Sequence, residues 1–102
     1  MARRSREKGR RTELAIVRLL QERGIAAEKV SRAGYDGPDL SIPVLGHECA
    51  GEVKCRADGF RELYGWIADR DILIVKADRQ EPLVVVRLSF AAEVAIAAER
   101  YR

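Results

Sequence analysis

No apolar run in this chain approaches the length of a membrane span, which excludes a helical membrane protein. Residues 1–12 are too polar for a secretory signal. Two cysteines are too few for a disulfide-stapled scaffold and point to a reducing, cytoplasmic setting. The aromatics (one Trp, three Tyr, two Phe) are scattered, so no paired stacking platform of the RNA-recognition kind can be drawn. There are no repeats and no linker, and the only biased tract is a basic start.

With 102 residues the chain has room for one domain around one small core. Its 47% hydrophobic and 34% charged residues describe a globule, not a disordered or fibrous chain. The net charge of +3 is unevenly spread. Arg3, Arg4, Arg6, Lys8, Arg10 and Arg11 against Glu7 give residues 1–11 a balance of +5, so the rest carries −2. Such a segment can run along a polyanion and displace its counterions, or can be a solubilising tail. Residues 1–8 are expected as a flexible basic arm and residues 9–102 as a single domain.

Periodicity predicts a helix over Gly9–Arg23 with Leu14, Val17 and Leu20 on its inner stripe and Gly24 ending it. A strand over 26–32 follows, then turn residues through Pro38. Asp39–Val44 and His47–Arg56 read as strands joined by a tight Leu45-Gly46 turn, with Pro43 at an edge or beside the turn. Phe60, Leu63, Tyr64 and Ile67 have helical spacing, which leaves Trp66 off the stripe as an exposed anchor or a cap on the core edge. Asp71–Ala77 and Pro82–Leu88 are rich in β-branched residues. Ser89 suits the N-cap of a last helix with Val94, Ala97, Ala98 and Tyr101 on one face. The expected class is α/β (α+β), with a mixed central sheet flanked by helices in the order α-β-β-β-α-β-β-α.

A two-residue turn at Leu45-Gly46 sets Val44 against His47, Ile42 against Cys49 and Asp39 against Glu52. Opposed residues share a face, with Cβ atoms about 4.5–5.5 Å apart. Lys54 falls on the same side as Glu52 by alternation. Facing carboxylates destabilise a plain hairpin, and a divalent cation between them removes that penalty. Hard oxygen ligands favour Mg²⁺. The plain alternative is a surface strand with an internal Glu52–Lys54 pair. His47, Cys49 and Cys55 have the opposite parity. The two cysteines are about 20 Å apart along a strand, too far for a disulfide or a shared zinc, and are expected as small core residues.

Pro38-Asp39 followed by Glu52-Val53-Lys54 resembles the signature of the PD-(D/E)XK nuclease superfamily. Lys8-Gly9 with Glu13 is similar to the Lys-Gly-(three residues)-Glu start of archaeal-type Holliday junction resolvases, and Val30-Ser31-Arg32-Ala33-Gly34 resembles their segment ahead of the aspartate. The match covers roughly residues 8–78. Serine and arginine stand in reversed order, so the upstream role falls to Ser31 or Arg32.

The resemblance implies a restriction-endonuclease-like fold and a metal-dependent DNA endonuclease. Asp39, Glu52 and the Val53 carbonyl would bind Mg²⁺ or Mn²⁺, with Glu13 completing the shell and Lys54 orienting the attacking water. Glu13 also reads as an ordinary acidic residue near a helix start. Arg3, Arg4, Arg6, Lys8, Arg10, Arg11, Ser31 and Arg32 would contact DNA phosphates. The implied substrate is a four-way junction cut at paired positions by a homodimer. Two alternatives stay open: a nuclease of the same superfamily without junction preference, and a non-catalytic DNA-binding module.

Overall fold

The computed structural model describes residues 2–34 and 36–102, with side chains from residue 7 onward. In chain order the elements are helix α1 (Ala2–Glu22), strands β1 (Glu28–Lys29), β2 (Leu40–Val44) and β3 (His47–Gly51), helix α2 (Arg61–Ile67), strands β4 (Leu73–Val75) and β5 (Leu83–Val85), and helix α3 (Leu88–Arg100). The order is the expected one and the class is mixed α+β. The chain packs as two compact units, one of residues 1–55 with 92–102 and one of residues 56–91, where the sequence suggests a single domain from residue 9.

The strands do not form one mixed sheet. β1, β2 and β3 make a three-stranded sheet, β4 and β5 a two-stranded one, and every pairing is antiparallel. Chain neighbours joined by short connections pair as hairpins, which needs no crossover. No helix among the described residues is long and apolar enough to cross a membrane.

In the first unit, α1 starts at Ala2, well ahead of the expected Gly9. Arginine, lysine, glutamate and alanine all favour helix, and one internal glycine costs only about 1 kcal/mol. The basic segment expected as an arm therefore runs on as helical backbone. At its other end the helix closes in a Schellman motif. Gly24 N–H donates to the Gln21 carbonyl at 3.0 Å and Ile25 N–H to the Leu20 carbonyl at 3.0 Å. Gly24 has φ +92°, open to glycine at little cost. Leu20 and Ile25, the apolar pair that accompanies this motif, are both buried. With Val17, Ala27, Leu40 and Ala92 they form the small core of this unit.

Leu45 (φ 51°) and Gly46 (φ 78°) make the hairpin turn between β2 and β3, both in the left-handed region that a type I′ turn requires. Its register pairs Val44 with His47, Ile42 with Cys49 and Leu40 with Gly51. Pro43 sits in the middle strand of the sheet, yet β1 reaches only Ser41 and Leu40. At Pro43 the strand is locally an edge, so its missing N–H breaks no ladder. β1 is cut to two residues because Val30 and Ser31 N–H groups both converge on the Asp39 carbonyl, at 2.9 and 3.2 Å. That two-against-one pattern is a bulge and it ends the ladder.

Three expected faces are corrected. Cys49 is exposed and only Cys55 is half-buried, because β3 is open to solvent for most of its length. Tyr64 is exposed despite its helical spacing; a seven-residue helix covers one narrow strip, and Ile67 with half-buried Phe60 and Leu63 fills it. α3 turns Ala92 inward and leaves Val94 and Tyr101 exposed. It also begins at Leu88, so Ser89 lies within the helix.

In the second unit, the Arg87 guanidinium donates to the carbonyls of Ile67 (3.1 Å), Ala68 (3.3 Å) and Arg70 (3.0 Å). These include carbonyls that the end of α2 leaves without an intrahelical donor, and a cation there also meets the negative pole of the helix. The spacing of the sequence carries no sign of this cap.

Candidate active site

Asp39 stands just ahead of β2, one step beyond the Leu40–Gly51 pair at which the β2–β3 ladder ends. Four hydrogen bonds hold it. Its carbonyl takes the two bulge N–H groups from Val30 and Ser31, and its own N–H donates to the Gly51 carbonyl at 2.9 Å. Its carboxylate Oδ2 accepts the Val53 N–H at 2.8 Å. The aspartate and the Glu52-Val53-Lys54 segment are thus joined directly, across the hairpin that the Leu45-Gly46 turn closes.

Glu52 and Lys54 lie on one side of the chain, as alternation requires, with Oε2 and Nζ 3.1 Å apart. Their side chains are 56% and 60% exposed. An ion pair so open to water contributes little to stability. Val53 between them is half-buried, so the segment presents charge outward on an anchored backbone.

Glu13 reaches from α1 into a separate cluster. Its Oε2 accepts the Ser31 hydroxyl at 2.8 Å and lies 3.8 Å from Lys29 Nζ. Lys29 Nζ also donates to the Ser31 carbonyl at 2.5 Å. The Glu13 side chain is only 14% exposed and that of Lys29 22%. Gly9, Arg10, Lys29, Ser31, Arg32 and Ala33 line a cleft with Glu13. Of the two upstream residues, it is Ser31 that touches the helix glutamate, while Arg32 lines the same cleft.

Asp39 is therefore brought to Val53, Glu52 to Lys54, and Glu13 to Ser31. Among the described residues no three His, Cys, Asp or Glu side chains gather at metal-ligand spacing. The donor chemistry nonetheless suits a hard cation, since Asp39 and Glu52 carry carboxylate oxygens and the Val53 N–H ties the Asp39 carboxylate to the segment that bears Glu52. Lys8 and Arg11 are exposed on α1, where Thr12 Oγ1 donates to the Lys8 carbonyl at 2.9 Å and Arg11 Nε to the Glu7 carbonyl at 3.4 Å. The side chains of Arg3, Arg4 and Arg6 lie outside the described ones. His47 is exposed beside the turn.

Sequence reasoning passed over Lys29. The available signal was a cation two residues before Ser31, ahead of the turn that leads to Asp39. Compared with family models, with curated proteins and with solved structures, the chain matches none, so its functional reading rests on its own residues.

Proposed function

We propose that this protein is a metal-dependent DNA endonuclease of the PD-(D/E)XK superfamily with a restriction-endonuclease-like fold, acting in the cytoplasm as a homodimer on four-way junctions. The observation that carries the reading is the 2.8 Å bond from Val53 N–H to the Asp39 carboxylate. It supports the motif as a spatial unit, because two short stretches separated by a hairpin are tied together at the residues the chemistry requires.

Asp39, Glu52 and the Val53 carbonyl would hold Mg²⁺ or Mn²⁺, with Glu13 contributing from α1. When bound, the ion supplies Lewis-acid polarisation of a phosphate and acidifies a water. Asp39 keeps its carboxylate aimed through the Val53 bond. Lys54, exposed and held near Glu52, is free to orient the attacking water and to offset charge developing on the phosphorane. Arg10, Arg11 and Arg32, with Lys8, Arg3, Arg4 and Arg6 further along α1, would clamp backbone phosphates without reading bases. A two-fold dimer would place two such sites for paired cuts.

A gel assay tests this with a synthetic four-way junction and a linear duplex of matching sequence. Paired, Mg²⁺-dependent cuts in the junction alone are expected. Equal cutting of both substrates makes the protein a nuclease without junction preference. No cutting with either Mg²⁺ or Mn²⁺ makes it a binding module.

A further inference from the structure

The cleft between α1 and β1 contains a cation that the nuclease chemistry does not use. Lys29 extends from the end of β1 to Glu13 on one side and to the Ser31 carbonyl on the other. Arg10, one helical turn before Glu13, and Arg32 stand in the same walls. Three cations against one carboxylate leave the cleft at +2, a field that draws in an anion.

Lys29 is also mostly out of water, at 22% exposure, and its stem is ordered by its two contacts. A lysine held in this way has already lost much of the side-chain freedom that an anion contact would otherwise remove.

Resting on the DNA-cleaving reading above, we propose that this cleft is a phosphate subsite for the DNA backbone, with Lys29 as its central contact. In this site Glu13 and a DNA phosphate compete for one ammonium group. A phosphate oxygen that enters between Arg10 and Arg32 draws Lys29 Nζ away from Glu13, a pair already loose at 3.8 Å. The Glu13 carboxylate then keeps its Ser31 hydroxyl and loses its countercharge, which favours a cation beside it. Substrate binding and the glutamate's readiness for a metal are thereby linked through one residue. Lys29 acts here as a positioning residue for Glu13 as well as a phosphate contact.

The test is DNA binding in EDTA across a salt series, which reads the subsite without cleavage. Lys29→Gln should weaken binding of a linear duplex about fivefold and lower the slope of log affinity against log salt by about 0.9, one phosphate contact. Lys29→Arg should keep both. Glu13→Gln, which removes the competing carboxylate, should bind about threefold more tightly than the parent protein. An unchanged slope in Lys29→Gln, a Lys29→Arg protein as weak as Lys29→Gln, or a Glu13→Gln protein that binds no better would each overturn the proposal. Cutting in Mg²⁺ is scored separately. A protein that shows this binding pattern and never cuts retains the subsite and loses the nuclease assignment.

Discussion

Asp39 offers the sharpest separation between structure and chemistry, through two substitutions. In Asp39→Asn the side chain keeps its shape, and the amide oxygen can still accept the Val53 N–H now held at 2.8 Å. What is lost is the charge on that bond. A charge-assisted hydrogen bond contributes about 1.5–3 kcal/mol and a neutral one about 0.5–1.5, so the change costs about 1 kcal/mol. In Asp39→Ala the Val53 N–H, on a half-buried residue, has no partner, and the cost rises to about 1–3 kcal/mol. At about 4–8 °C per kcal/mol for a domain of this size, melting should fall by about 5 °C for the asparagine and up to about three times that for the alanine. Cleavage should behave differently. On the proposed reading either change removes a carboxylate that would bind the metal, and a loss of about 4 kcal/mol of transition-state stabilisation would lower the rate about a thousandfold. Thermal melts and single-turnover junction cleavage on the three proteins measure both. If Asp39→Asn cuts like the parent, Asp39 binds no catalytic metal. If Asn and Ala melt alike and unchanged, the Val53 bond does not hold the hairpin.

Lys54→Gln should leave melting within about 0.5 kcal/mol of the parent, since its ion pair is exposed, while cutting falls at least a hundredfold; a parallel loss of stability and rate would assign Lys54 to structure. Arg87→Ala should destabilise by about 1 kcal/mol by uncapping α2, read as a lower melting point with junction binding intact; an unchanged melt removes the cap from the account. Gly24→Ala forces a side chain to φ +92° and should cost about 1 kcal/mol in a denaturant titration, whereas a gain would mean that the helix ends elsewhere.

The hairpin was legible because two rules act on it together. Leu45-Gly46 suits a tight turn, and a two-residue turn leaves one register, from which the pairs Val44–His47 and Ile42–Cys49 follow by counting; the ladder ends at Leu40–Gly51, before Asp39 and Glu52. Gly24 was equally legible as a helix stop. The length of α1 was not, because a dense basic run suggests a solvated tail while its residues individually favour helix. The short β1 was hidden for another reason: a bulge is a choice between near-equal backbone paths, and Val30-Ser31 carries no glycine to mark it. The inner faces of α2 and α3 were misjudged at Tyr64, Val94 and Tyr101, since periodicity tells which residues share a side but not how wide a strip the neighbours cover. Lys29 and Arg87 were missed because each acts on a group distant in sequence, Glu13 for one and the α2 carbonyls for the other.

Under the proposed nuclease function, the way Asp39 is tied in has a consequence for telling active descendants of this chain from inactive ones. It joins the bulge, the last rung of β3 and the segment beyond, so a lineage that abandoned catalysis would still be under pressure to keep an acidic or amide side chain there. Glu52 and Lys54 touch little besides each other and would drift first. Loss of that exposed pair, with the aspartate still in place, is the mark by which a retired enzyme should be recognised.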